Sequence, residues 1–154
     1  MKKILILMFV LVNFAVGAYS MIDTLSLEDL VKDAEIIALI KVELVERTNR
    51  SPEGFDELKF LATKVKIIEA YKGKAKADEN LIISTLSGIE DSPELAYANK
   101  YLVFLKKVEG RDEYQVCNDI QGCWEVDASG VYGGMGTGTT LEMLKSSIEA
   151  KKIK

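Results

Sequence analysis

The chain has 154 residues with 20 basic and 24 acidic side chains, a formal net charge of −4, two cysteines and no histidine. The lack of histidine excludes serine–histidine and cysteine–histidine catalysis, histidine general bases and ordinary zinc or copper sites. The basic residues are scattered apart from Lys151-Lys152-Ile153-Lys154, which reads as a solvated helix end favoured by the helix dipole, so nucleic acid is not an expected partner.

The chain opens with Met1-Lys2-Lys3, an apolar run over residues 4–16 and then Gly17-Ala18-Tyr19-Ser20. A basic start, a short apolar centre and a small-residue end form the layout of a secretory signal peptide. A membrane-spanning helix needs ~20 apolar residues, more than this run offers. Residues 1–18 are therefore read as a leader cut between Ala18 and Tyr19, with cleavage after Ser20 as the second choice. Losing Lys2 and Lys3 takes the formal charge from −4 to −6. The expected product, residues 19–154, is one domain of the periplasm or extracellular medium, without a membrane anchor and in an oxidising compartment.

Ser26 is suited to cap a helix over residues 26–34, because its hydroxyl can accept from a first-turn amide. Glu28 and Asp29 suit the positive end of the dipole, and Leu27, Leu30, Val31 and Ala34 share one face. The period then changes to two. Residues 36–46 read as a strand with Ile36, Ala38, Ile40, Val42 and Leu44 on its core face. Residues 47–57, with Asn49, Ser51, Pro52 and Gly54, form an exposed connection. A second strand over 58–71 has Leu61, Thr63, Val65 and Ile67 in alternation, and the adjacent Ile68 implies a bulge. Lys72-Gly73-Lys74 ends it.

Residues 81–86 form a third strand, followed by a polar, acidic crossing over 87–99 with room for one helical turn. Residues 100–107 carry Tyr-Leu-Val-Phe-Leu at their centre, apolar on both faces, and read as a central strand. Residues 114–117 and 123–126 are expected to be the arms of a hairpin around 118–122. Val131-Tyr132 can extend the sheet. Helical spacing returns over 139–152, with Leu141, Leu144 and Ile148 as the apolar stripe and Thr139 and Glu142 as a capping box. Helix, five or six antiparallel strands, helix is not a parallel strand–helix alternation. The expected class is mainly β: a small closed or partly closed antiparallel barrel with a short helix before it and a helix after it.

The string Leu27-Glu28-Asp29-Leu30-Val31, leading to Ala34-Glu35-Ile36-Ile37-Ala38-Leu39-Ile40-Lys41-Val42, resembles the opening of a netrin-like, or tissue-inhibitor-of-metalloproteinase-like, domain of secreted bacterial proteins. Lys66-Ile67-Ile68-Glu69-Ala70-Tyr71-Lys72-Gly73 is similar to the end of its second strand, and Lys100-Tyr101-Leu102-Val103-Phe104-Leu105 to its central strand. The resemblance spans residues 25–130 and implies an OB-like five-stranded barrel with flanking helices. In the inhibitors, the amine and carbonyl of an N-terminal cysteine bind the protease zinc. Here the first cysteine is Cys117, so the fold is expected to carry over and that activity is not.

Cys117 and Cys123 are expected to form a disulfide across the hairpin, where opposed strand positions fall in the required ~4.4–6.8 Å Cα range. A redox-active pair is the alternative, but it lacks the Cys-x-x-Cys spacing. Gly133-Gly134-Met135-Gly136-Thr137-Gly138 precedes a helix, yet no lysine follows as a phosphate loop needs, so a connector is expected. Glu90, Asp91 and Glu94 read as a solvated loop rather than a calcium site. Tyr114, Trp124 and Tyr132 form a candidate partner surface, with core packing of Trp124 as the competing reading. No catalytic residue, metal ligand or cofactor is expected. The first functional reading is an exported, non-catalytic binding module for an envelope or extracellular protein, peptide or glycan. The alternatives are a carboxylate-only hydrolase, with Glu90 and Asp119 as its candidate acids, and a protease inhibitor that does not use an N-terminal cysteine.

Overall fold

A computed structural model describes residues 24–127, 130, 132–133 and 139–152. The leader, its cleavage positions Ala18 and Tyr19 and glycine-rich residues 134–138 lie outside the described residues. In chain order the elements are α1 (Leu27–Asp33), β1 (Ile36–Arg47), β2 (Phe60–Lys72), β3 (Asn80–Leu86), β4 (Lys100–Lys107), β5 (Tyr114–Val116), a 3-10 turn (Asp119–Gly122), β6 (Cys123–Val126), β7 (Tyr132–Gly133) and α2 (Leu141–Lys152). The 87–99 crossing contains turns and no helix.

The strands run β1-β2-β3-β5-β4, and β4 pairs back onto β1 to close a five-stranded barrel. β6 and β7 extend the sheet beyond β4. The fold is the expected OB-like barrel with a helix on either side of it in sequence. One ladder departs from the expected antiparallel set: β3 and β5 are parallel and meet at Ile83 and Tyr114. This follows from the turn after β4, which returns the chain along the free edge of β4 and so brings β5 alongside β3 in the same direction.

The β1–β2 ladder shifts register at three places, and two of these shifts bear on the side chains singled out in the sequence. Ile40 pairs with Ile67 and Leu39 with Glu69, which leaves Ile68 unmatched and 39% exposed, as the Ile67-Ile68 doublet implies. A second bulge, at Glu43, is followed by the doublet Leu44-Val45, which does not stand out in a strand that also carries Ile36-Ile37 and Leu39-Ile40. Val42 pairs with Val65 and Leu44 with Lys64, so the pleat is offset by one residue. Val45 therefore packs toward the barrel interior, while Leu44, expected in the core, is 45% exposed.

The core has two layers, and β4 is the wall between them. Val103 and Leu105 point into the barrel with Ile40, Val65 and Ile83. Leu102 and Phe104 point outward, where α1 and α2 cover them with Leu30, Val31, Leu144 and Ile148. A strand segment buried on both faces is apolar at successive positions, which explains the run over 101–105 between the exposed Lys100 and Lys106.

Both helices are capped. The Asp29 amide donates to Ser26 Oγ at 3.1 Å, as expected. For α2 the capping hydroxyl is that of Thr140, one residue after the expected Thr139: the Met143 amide donates to Thr140 Oγ1 at 3.2 Å, and Met143 has no carboxylate to close a box. Lys72 and Gly73 hold α1 to the end of β2. Lys72 Nζ donates to the carbonyls of Val31 and Ala34 at the negative end of the helix dipole. Burial, then the nearby Lys151 charge, lowers the Lys72 pKa below the usual lysine range. Gly73 has φ +98°, and a Cβ there would lie 2.4 Å from the Glu35 carbonyl oxygen. Lys72→Met keeps the aliphatic stem but leaves those carbonyls unmet. It is expected to cost about 1–3 kcal/mol, read as a lower urea midpoint with an unchanged m-value.

Candidate functional site

The cysteines do not form the expected disulfide; both thiols are free. β5 and β6 do not pair with each other. Both pair with β4, as two pieces of one interrupted strand: Val116 lies opposite Leu105 and Cys123 opposite Val103. Between them the Cys117 amide donates to the Phe104 carbonyl at 2.8 Å, after which the chain leaves the ladder through the 3-10 turn and re-enters at Cys123. Cys117 and Cys123 thus match successive residues of β4, and successive residues face opposite sides of a sheet. Cys117 packs in the outer layer, and Cys123 packs against the barrel interior. Burial pushes the Cys117 thiol up to about 11 and the Cys123 thiol up to about 12, the latter with help from the Glu125 charge. Neither is set up as a thiolate nucleophile.

The aromatic residues do not make a common surface. Trp124 is 2% exposed. Its ring centroid is 5.0 Å from that of Phe104, and its indole N–H donates to the Gln121 carbonyl at 2.9 Å. Tyr114 is half-buried at the barrel seam, with the Lys107 ammonium 4.8 Å from its ring centroid. Tyr132 lies on β7 with its backbone paired to Val126; its side chain is outside the described residues. The side chain that sequence reasoning missed here is Gln121. It is 5% exposed, accepts from the Leu25 amide at 2.9 Å and donates to the Leu25 carbonyl at 2.7 Å. This primary amide completes a pair of strand-like bonds with the segment preceding α1. A lone glutamine in a short polar run carries no signal of that role.

The chemistry-bearing side chains gather where the 87–99 crossing meets the 3-10 turn. The Ile120 amide donates to the Asp91 carbonyl at 3.1 Å, which fastens the two segments together. Asn118 and Asp119 both have φ +50°, a left-handed conformation that Asn and Asp tolerate better than most residues. Two clefts flank the ridge made by Ile89, Ser92 and Pro93. The larger, about 870 Å³, carries Glu90, Glu94 and Glu125 over Ile120, Cys123 and Tyr101. The Tyr101 hydroxyl accepts from the Ala96 amide at 3.0 Å and donates to the Glu94 carbonyl at 3.2 Å, fixing this wall of the cleft. Glu125 accepts from the Asn99 side-chain amide at 3.2 Å. The smaller cleft, about 220 Å³, has Asp91 and Asp119 on its lining.

Glu90 and Asp119, the candidate acid pair of a hydrolase, line different clefts. Glu90, Asp91 and Glu94 are likewise divided between them. Among the described residues no group of three or more acidic or cysteine side chains is placed to hold a metal ion, and no helix is long and apolar enough to cross a membrane. No protein-family model matches the sequence, and no curated protein matches it.

Proposed function

We propose that the protein is an exported, non-catalytic binding module, related to the netrin-like domains it resembles, that engages a cationic partner through the acidic end of its barrel. The leader supports export. The β1-β2-β3-β5-β4 closure supports the relationship. The observation that carries the binding reading is the larger cleft, where Glu90, Glu94 and Glu125 surround an apolar floor of Ile89 and Ile120. A Lys- or Arg-rich peptide segment suits that lining: its aliphatic stems cover the floor while its charges meet the rim. The rim carboxylates are solvent-exposed, so they contribute encounter rate and salt sensitivity more than tight affinity.

The reading is tested with a labelled Lys/Arg-rich peptide and the Glu90→Gln, Glu94→Gln, Glu125→Gln triple variant. Three exposed charge contacts of about 0.5 kcal/mol each correspond to roughly a tenfold affinity loss. Wild-type binding is also expected to weaken steeply between low and physiological salt. An affinity that is indifferent to both the substitutions and the salt sinks the proposal.

A further inference from the structure

β1 outruns the strand against which it closes the barrel. β2 accompanies it from Ile37 to Arg47, but β4 pairs with it only from Ile36 to Lys41. The β4 side ends at Val42, whose amide donates to the Asn99 carbonyl at 3.0 Å and whose carbonyl accepts from the Ala98 amide at 3.1 Å. Among the described residues no strand lies beside residues 43–47 on that side. The β2 ladder fixes which groups are left open there. The Thr48 amide donates to the Phe60 carbonyl at 2.9 Å, and bonded and non-bonded pairs alternate along an antiparallel ladder. Glu46 and Ala62 are therefore a bonded pair, whereas Val45 and Arg47, opposite Thr63 and Leu61, turn their N–H and C=O groups to the open side. Donors and acceptors on alternate residues match the backbone of another extended chain.

The side chains select that chain. Val45 packs inward, Leu44 is 45% exposed, and Glu46 and Arg47 are exposed. A second copy is a poor occupant. Engaging Val45 and Arg47 of both copies sets Glu46 directly opposite Glu46, and like charges so placed repel. A register centred on Val45 instead runs Arg47 into the bulge at Glu43. Among the described residues Glu46 is in no ion pair. A strand with a basic residue opposite Glu46 and apolar residues opposite Val45 and Leu44 complements all three.

We infer that the open edge of β1 at Val45 and Arg47 accepts an extended peptide segment of another protein as an added antiparallel strand, with a Lys or Arg of that segment opposite Glu46. β1 lies along one edge of β4, and β6, which carries Glu125, along the other. This surface is therefore separate from the larger cleft and is tested without reference to it. The probe is the blocked peptide acetyl-Thr-Glu-Lys-Val-Leu-Thr-amide, and the readout is amide hydrogen exchange in the full protein. The Val45 and Arg47 amides are expected to exchange fast in the free protein and to become protected saturably by the peptide, while the Glu46 amide, bonded to β2, is slow in both states. N-methylation of the peptide's valine, whose N–H faces β1 in this register, is expected to weaken binding at least about tenfold. N-methylation of its lysine, whose N–H faces away, leaves binding in place. Glu46→Lys is expected to weaken binding about threefold, and a peptide with glutamate in place of that lysine to recover it. Val45 and Arg47 amides already slow in the dilute free protein, no saturable protection, equal binding of the N-methylvaline peptide, or affinities indifferent to Glu46→Lys overturn the inference. Protection that rises with protein concentration in the absence of peptide overturns it as well, and assigns the edge to a second copy.

Discussion

Replacing Trp124 with alanine is expected to lower the unfolding free energy by about 3–5 kcal/mol, a large share of the stability of a domain this size. The indole fills the outer layer between β4 and the helices, against Phe104. Its loss leaves a cavity that the surrounding Leu102, Cys117 and Leu144 cannot close, because each is pinned to its own element. It also leaves the Gln121 carbonyl without its indole donor, next to the side chain that ties Leu25 down. The effect is read from chemical denaturation. Trp124→Phe, which keeps most of the volume but not the N–H, is expected to lose less than half as much. Wild-type emission is expected to be blue-shifted and poorly quenched by acrylamide until the protein unfolds. Ready quenching of the native protein contradicts the buried position, as does a marginal effect of the alanine variant.

The second large effect is on alkaline stability. Both thiols have pKa values raised above the ordinary cysteine value of 9.0, to about 11 and about 12. A raised folded-state value means that the native protein holds its proton where the unfolded chain has released it. The thiol contribution is therefore fully present below pH 9 and is lost as the pH rises through 9 toward 11 and 12. Each pH unit of separation corresponds to at most about 1.4 kcal/mol per thiol, and water reaching either group reduces this, so a loss on the order of a few kcal/mol is expected across the window. Urea midpoints between pH 8.5 and 10.5 should fall in the wild type and fall much less in a Cys117→Ala, Cys123→Ala variant. The lysines common to both proteins cancel in that comparison. A reductant is expected to leave the midpoint unchanged, and native thiols should react slowly with a thiol reagent. A stability lost on reduction restores the disulfide and overturns the assignment of the two residues to opposite faces.

The two cysteines also show where a linear reading stops. Residues 114–117 and 123–126 are short apolar runs around a polar turn-like segment, and local pattern cannot distinguish two arms of a hairpin from two pieces of one strand. What distinguishes them is β4, which offers one free edge to both. The acidic face has the same origin. Asp91 and Asp119 are distant in sequence and unremarkable in composition; the Ile120–Asp91 bond brings them to one cleft. The buried, unpartnered hydroxyls of Thr63 and Thr85 look like those of ordinary strand threonines until the neighbouring strands are in place.

Much of the architecture is local in origin and was therefore open to the sequence alone. Ser26 marks its own helix start, the Ile67-Ile68 doublet marks its own bulge, and the unbroken apolar run over 101–105, flanked by lysines, reads as a strand covered on both sides. Together with the absence of histidine, these residues determine a small β barrel with no conventional imidazole chemistry. The tertiary structure alone decided the rest: the parallel seam between β3 and β5, the outward turn of Leu44 at a bulge that its doublet with Val45 does not single out among the apolar pairs of β1, and the separation of Cys117 from Cys123. Each depends on which strand lies alongside which. Periodicity says that a strand has two faces, but only its neighbours in the barrel determine which face is the inside.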